Sequence, residues 1–152
     1  MIDRYSRPRM KQVWSAENKY EKWLEVEIAV CEAWASLGVV PKSALPKIKL
    51  ARLDINRMDA IFKETHHDMT AFLKAVAESL GEESRFIHLG LTSSDVMDTA
   101  LSLQMVEAAE LLAQDMKELV SVIAEQAIKH KFTAMVGRTH GVHAEPITFG
   151  LK

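Results

Sequence analysis

The sequence predicts an all-α fold: a helical N-terminal domain that runs into the start of a long-helix bundle. Three features predict it. Residues 93–130 contain no Gly or Pro, and Met97, Leu101, Ala108, Leu112, Met116, Leu119, Ile123 and Ala127 mark a sustained apolar stripe. Residues 15–37 place Tyr20, Trp23, Leu24, Cys31 and Trp34 at spacings of three, four and seven, one face of a 3.6-residue period. No segment reads as alternating strands joined by hairpin turns. At ~1.5 Å per residue the 93–130 helix would be roughly 55 Å long, which suits an oligomeric bundle better than an isolated small domain. The predicted division is residues 1–91 as the N-terminal domain and 92–152 as the incomplete first part of the bundle.

Each element has its own start and stop signals. Residues 1–13 carry little apolar pattern and read as an extended arm with room for a short helix. Arg4 and Tyr5 there set a guanidinium beside a phenol, a pair able to grip an anion; a solvated terminus is the other reading. Ser15 can cap the first long helix, and Gly38 and Pro41 stop it. Glu27 falls on its apolar face and needs a partner if buried. Residues 41–53 form a weak helix interrupted near Pro46. Asp54 caps a helix to Glu64, with Ile55, Met58, Ile61 and Phe62 as its inner face. After the break Thr65-His66-His67, Asp68 caps a helix over Met69 to Leu80 that Gly81 ends. Residues 82–91 are a connection containing His88 and Gly90. Thr92-Ser93-Ser94-Asp95 then resembles a capping box, with Asp in place of Glu or Gln. Past the long helix, Gly137-Arg138-Thr139-His140-Gly141-Val142-His143-Ala144-Glu145-Pro146 reads as a polar connection, with Pro146 in the first turn of another helix. Residues 148–152 give that helix no stop signal, so the sequence reads as a piece of a longer chain.

Composition narrows the classes of function. The chain has 152 residues, 48% of them apolar and 26% charged, as in globular proteins. A net charge of −2 and a pI near 6.3 argue against a nucleic-acid or membrane surface. No apolar run reaches the roughly 18 residues of a spanning helix, and the first residues lack the apolar core of a signal peptide. One cysteine, Cys31, gives no internal disulfide framework and fits a reducing, cytoplasmic setting. Its apolar neighbours mark it as a packed core residue.

The polar islands carry the chemistry. His66, His67 and Asp68 sit at a helix start, where free N–H groups and the dipole favour an anion; exposed loop histidines are the alternative. Three hydroxyls at Thr92 to Ser94 exceed what a cap needs and can grip a carboxylate or phosphate. His140 is suited to exchange a proton near neutral pH. A metal centre built from His140, His143, Glu145, His66, His67 and His88 is a competing reading, as in helical metal-dependent phosphohydrolases. The Gly-containing turn and the lack of a second acidic cluster weigh against it. A non-catalytic helical assembly is the reading outside the enzymes. Proton transfer beside an anion pocket is the chemistry of an elimination that leaves a dicarboxylate.

Thr92-Ser93-Ser94-Asp95, a long helix, and then Thr139-His140-Gly141-Val142-His143-Ala144-Glu145-Pro146 resemble the fumarase/aspartase superfamily. Met1-Ile2-Asp3-Arg4-Tyr5-Ser6-Arg7-Pro8, Trp23-Leu24-Glu25-Val26-Glu27 and His67-Asp68 narrow the resemblance to the bacterial adenylosuccinate lyase family, from Arg4 to Lys152. The resemblance implies an all-α subunit longer than 152 residues and a cytoplasmic homotetramer with composite active sites. It implies a small-molecule nucleotide substrate, with no metal, organic cofactor, nucleic acid or membrane. The implied activity is release of fumarate from adenylosuccinate, giving AMP, and from the succinylated aminoimidazole carboxamide ribotide. His140 corresponds to the general acid for the departing nitrogen, and His67 to a second active-site histidine. Arg4, Tyr5 and His88 correspond to the phosphate region, Thr92 and Ser93 to the succinyl end, and His66 and Asp68 to the pocket lining. Two positions depart from the pattern: His66 stands where Arg is common, and Ser94 where Thr is common. The family's Ser-rich loop, bearing the general base, has no counterpart here.

Overall fold

The computed structural model describes residues 2–152; Met1, the first residue of the N-terminal motif, lies outside them. A 3-10 turn at Asp3–Tyr5 leads to α1 (Pro8–Val13), with Pro8 in the first turn, where its missing N–H costs nothing. Helix α2 (Ala16–Ser36) begins at Ser15, whose hydroxyl accepts the Asn18 N–H at 3.1 Å. A 3-10 turn at Lys42–Ala44 precedes α3 (Leu45–Ile48). Helix α4 (Ile55–Thr65) is capped by Asp54, which accepts from the N–H groups of Asn56 and Arg57. Next come α5 (Asp68–Leu80), a 3-10 segment at Gly81–Phe86, and α6 (Ser93–Lys129). Two strands close the chain: β1 (Ala134–Thr139) and β2 (Val142–Thr148). The predicted helical class holds. No helix among the described residues is long and apolar enough to cross a membrane.

The chain divides into two compact units, Met1–Ala108 and Ala109–Lys152. The first has its core where α2, α4, α5 and the start of α6 turn their apolar faces inward. Trp23, Met58, Met69, Phe72, Val76, Leu80 and Val96 are buried there. Trp23 meets Phe72 edge-on at 5.3 Å and Tyr20 at 5.2 Å, the geometry that aromatic quadrupoles favour. A smaller cluster joins Cys31, Ala35, Val40, Ala44 and Ile48. Polar ties fix α1 and α2 to α6. Glu107 accepts from Lys22 at 2.7 Å and from Asn18 at 2.9 Å, and the buried Gln104 amide donates to the Val13 carbonyl at 2.7 Å. These bonds lower the Glu107 carboxyl below its ordinary value, the Lys22 bond first, and raise Lys22.

In the second unit the apolar stripe of α6 continues through Leu112, Met116, Leu119 and Ile123, all exposed. The end of the chain folds back on the end of α6. Phe149 N–H donates to the Thr133 carbonyl, Gly150 N–H donates to the His130 carbonyl, and the Phe149 ring meets the His130 ring edge-on at 5.1 Å.

The connection expected to lead into a helix at Pro146 is instead an antiparallel hairpin, pairing Thr139 with Val142, Arg138 with His143, Val136 with Pro146 and Ala134 with Thr148. The reason is turn chemistry. His140 and Gly141 have φ of 50° and 77°, the two left-handed residues of a primed hairpin turn. Val136, Thr139, Val142, Ile147 and Thr148 supply β-branched side chains on either side. Pro146 is tolerated because a two-stranded ribbon has only edges. Gly137 sits at a bulge, where an added Cβ would lie 2.7 Å from the Glu145 carbonyl oxygen.

Candidate active site

Five of the predicted site residues lie where α4 turns into α5 and where α6 begins. His66 ends α4 with φ 52°, its N–H donating to the Phe62 carbonyl at 2.8 Å. His67, not Asp68, caps α5: its Nδ1 accepts the Thr70 N–H at 3.2 Å, and Asp68 becomes the first residue of the helix. An imidazole nitrogen can replace a carboxylate here because the cap needs only an acceptor lone pair. With Nδ1 accepting, the neutral ring carries its proton on Nε2. Asp68, 3.9 Å from Nδ1, is therefore not its ion-pair partner; its carboxylate accepts the Met69 N–H at 2.7 Å instead. At the start of α6, Thr92 donates through its N–H (2.7 Å) and its hydroxyl (2.8 Å) to the Asp95 carboxylate. Those two bonds, and more weakly the charge of His88, hold Asp95 below the usual carboxylate range. Ser93 is the first residue of α6. The Thr92–Asp95 pair thus forms the reach-back half of the expected capping box.

One face of α2 holds the loop before Thr92. Glu27, Cys31 and Trp34, spaced by four and three, each bond to it. Glu27 is fully buried; one oxygen accepts the His88 N–H at 2.7 Å and the other lies 2.6 Å from His88 Nδ1. The Cys31 thiol lies 3.3 Å from the Phe86 carbonyl oxygen, and Trp34 Nε1–H donates to the Leu89 carbonyl at 2.8 Å. Burial pushes the Cys31 thiol up to about 11, with Glu27 adding to the shift, so it remains a packing residue. His88 has φ 64° and Gly90 has φ 76°. An added Cβ at Gly90 would lie 3.3 Å from Trp34 Cζ2. The partner that a buried Glu27 requires is His88, which the sequence did not identify. The sequence shows a carboxylate, a thiol and an indole on one helical face, but the loop they hold lies some 55 to 61 residues away.

Arg4 and Tyr5, both exposed, bond to each other: the guanidinium donates to the phenol oxygen and stacks 4.8 Å from the ring centroid. They form one polar tip on the N-terminal turn. In the second unit, exposed His140 occupies the hairpin tip, flanked by Thr139 and Gly141.

His66, His88 and His140 are the only non-glycine residues with positive φ among the described residues. That conformation costs an L-residue roughly 1–2 kcal/mol and concentrates where function or a tight turn demands it. Among the described residues no three of His, Cys, Asp and Glu gather as a metal centre requires. A groove of about 610 Å³ between α2 and α6 is lined by Val26, Val30, Gly90, Leu91, Asp95 and Leu103 among others. None of the predicted site histidines lines it.

Known proteins resemble this chain in sequence and in fold. The family model described as Lyase matches residues 3–152. The chain is 56% identical to the adenylosuccinate lyase of Bacillus subtilis (strain 168), over all of this chain and 36% of that protein. It is 54% identical to the adenylosuccinate lyase of Streptococcus mutans serotype c (strain ATCC 700610 / UA159), over 35% of that protein. The chain thus spans about a third of the length of the curated relatives it matches. Among solved structures it is similar to a fumarate lyase from Mesorhizobium sp. BNC1, with TM-score 0.86, 28% identity, and 96% of this chain and 36% of that one covered. It is also similar to a 3-carboxy-cis,cis-muconate lactonizing enzyme from Pseudomonas putida, with TM-score 0.87, 34% identity, and 97% and 35% coverage.

Proposed function

This chain belongs to the lyase family, matched over residues 3–152, and from that premise we propose that it is the N-terminal portion of an adenylosuccinate lyase. The reaction is a β-elimination. A proton leaves carbon, the C–N bond breaks, a C=C bond forms in fumarate, and the departing nitrogen is protonated. The substrates are adenylosuccinate, giving AMP, and the succinylated aminoimidazole carboxamide ribotide. The observation that carries this reading is 56% identity along the whole chain to a relative bearing that name.

The roles are divided by chemistry. His140 protonates the departing nitrogen; its place at a hairpin tip supports this by leaving the ring exposed. His67 positions substrate and supports charge, and its accepting Nδ1 leaves a protonated Nε2 for that purpose. Arg4, Tyr5 and His88 serve the nucleotide phosphate. Thr92 and Ser93 receive the succinyl end, and His66 and Asp68 line the same pocket. His66 is a weaker cation grip there than Arg would be, because an imidazole lacks the bidentate fork of a guanidinium. The base that takes the carbon proton comes from outside residues 1–152. Residues 1–91 form the N-terminal domain, and residues 92–152 the first part of a bundle completed by further chain and by other subunits. The assembly is a cytoplasmic homotetramer with composite sites, and it uses no cofactor. The uncovered stripe Leu112, Met116, Leu119 and Ile123 supports a bundle completed by further helices, since an exposed apolar row of that length marks an interface.

The test is fumarate release from adenylosuccinate by the purified complete enzyme that carries this chain, beside residues 1–152 alone. Turnover by the complete enzyme and none by the isolated piece is expected. A complete enzyme with no turnover on either substrate overturns the function. Turnover by the piece alone overturns the division of roles.

A further inference from the structure

We propose that Glu27 is the positioning residue for His88, and that the two act as one unit in gripping the anionic phosphate end of the substrate. The inference rests on the function proposed above. It starts from a carboxylate with no exposure, placed on the apolar face of α2. A buried carboxylate is costly unless both oxygens are satisfied. Glu27 satisfies both on one residue, 61 positions away: the backbone N–H of His88 at 2.7 Å and its ring Nδ1 at 2.6 Å. Those two hydrogen bonds hold the left-handed backbone and the ring orientation together.

The ring chemistry follows. A carboxylate only accepts, so Nδ1 carries a proton and Nε2 is the nitrogen left for a ligand. To donate from Nε2 to an anionic group the ring must carry both protons, and the buried Glu27 carboxylate supplies the counter-charge. The other titratable groups near the pair are Asp95 at the start of α6, which the charge of His88 reaches, and the Cys31 thiol on α2, which the charge of Glu27 reaches. Asp95 is already engaged by two bonds from Thr92, which leaves Glu27 as the partner of the ring. Cys31 and Trp34 anchor the same loop from the same face of α2, so the dyad rests on a fixed support.

Glu27→Gln discriminates this role from plain packing. An amide has one acceptor oxygen. If that oxygen keeps the His88 N–H, the amide N–H₂ faces Nδ1 and must donate to it. The ring then becomes neutral, with its proton on Nε2, and loses its counter-ion. In the complete enzyme, KM for adenylosuccinate is expected to rise about tenfold or more with kcat within about twofold, the pattern of lost uniform binding. KM for the dephosphorylated succinyl nucleoside is expected to stay unchanged. The ¹⁵N shifts of the His88 ring should move from two protonated nitrogens to one. In a His88→Asn background, Glu27→Gln should raise KM no further. An equal KM rise for both substrates, or additive effects in the double variant, overturns the proposal and leaves Glu27 a packing residue. Should Glu27→Gln not fold, His88→Asn replaces it: a KM rise for the phosphorylated substrate alone supports the dyad, and equal rises overturn it. A wild-type enzyme without fumarate release would instead be a failure of the proposed function, and the ¹⁵N shifts would still report on the dyad.

Discussion

Replacing Gly90 with Ala should destabilise the protein more than the same change at Gly38, because only one of the two glycines is crowded. Both have left-handed backbones, with φ of 76° and 77°. The conformational penalty is therefore shared, at roughly 1–2 kcal/mol. At Gly38 an added Cβ meets nothing within 4 Å; at Gly90 it meets Trp34 Cζ2 at 3.3 Å. Trp34 cannot swing aside without stretching the 2.8 Å bond from its indole N–H to the Leu89 carbonyl. Overpacking of this kind costs about 1–3 kcal/mol. Gly90→Ala should then cost about 2–5 kcal/mol in total, against about 1–2 kcal/mol for Gly38→Ala. Urea denaturation followed by tryptophan fluorescence measures both. Equal losses at the two positions would refute the view that the loop bearing His88 is pressed against α2.

Two further outcomes follow from the polar contacts. Glu107→Gln should destabilise the protein at pH 7, with the deficit shrinking in acid. The folded-state value of Glu107 lies below its ordinary 4.5, so its contribution is present above that value and lost as pH falls through the lower folded value; denaturation midpoints that differ by the same amount at pH 7 and in strong acid would contradict this. Arg4→Ala in the complete enzyme should raise KM by roughly tenfold or more with kcat little changed, since an arm residue on a phosphate contacts ground and transition states alike. A large fall in kcat at constant KM would count against that role.

The helices were legible because their signals are local. Ser15, Asp54 and Gly81 mark helix ends by hydrogen bonding and by φ, and Trp23, Met58 and Phe72 fall on faces that a 3.6-residue period exposes to inspection. The hairpin was not legible, although its parts were. His140-Gly141 lacks the Asn or Asp that usually signals a primed turn, and Gly137 and Pro146 read as helix punctuation when the long helix sets the expectation. The cap of α5 shifted from Asp68 to His67 because either side chain offers an acceptor, and only the backbone geometry chooses. The candidate site residues were found by residue type and resemblance. What supports them was hidden by distance in sequence: Glu27 and His88 lie 61 residues apart, and nothing local announces their contact.

On the function proposed above, His140 protonates the departing nitrogen. The direct measurement is the turnover of adenylosuccinate by the complete enzyme carrying His140→Gln, with substrate binding followed separately by calorimetry. Loss of a general acid costs about 10²–10⁴ in rate, so kcat should fall at least about a hundredfold while binding remains detectable. A turnover number equal to that of the wild type would show that the proton comes from another group and that the hairpin tip is not the acid of this site.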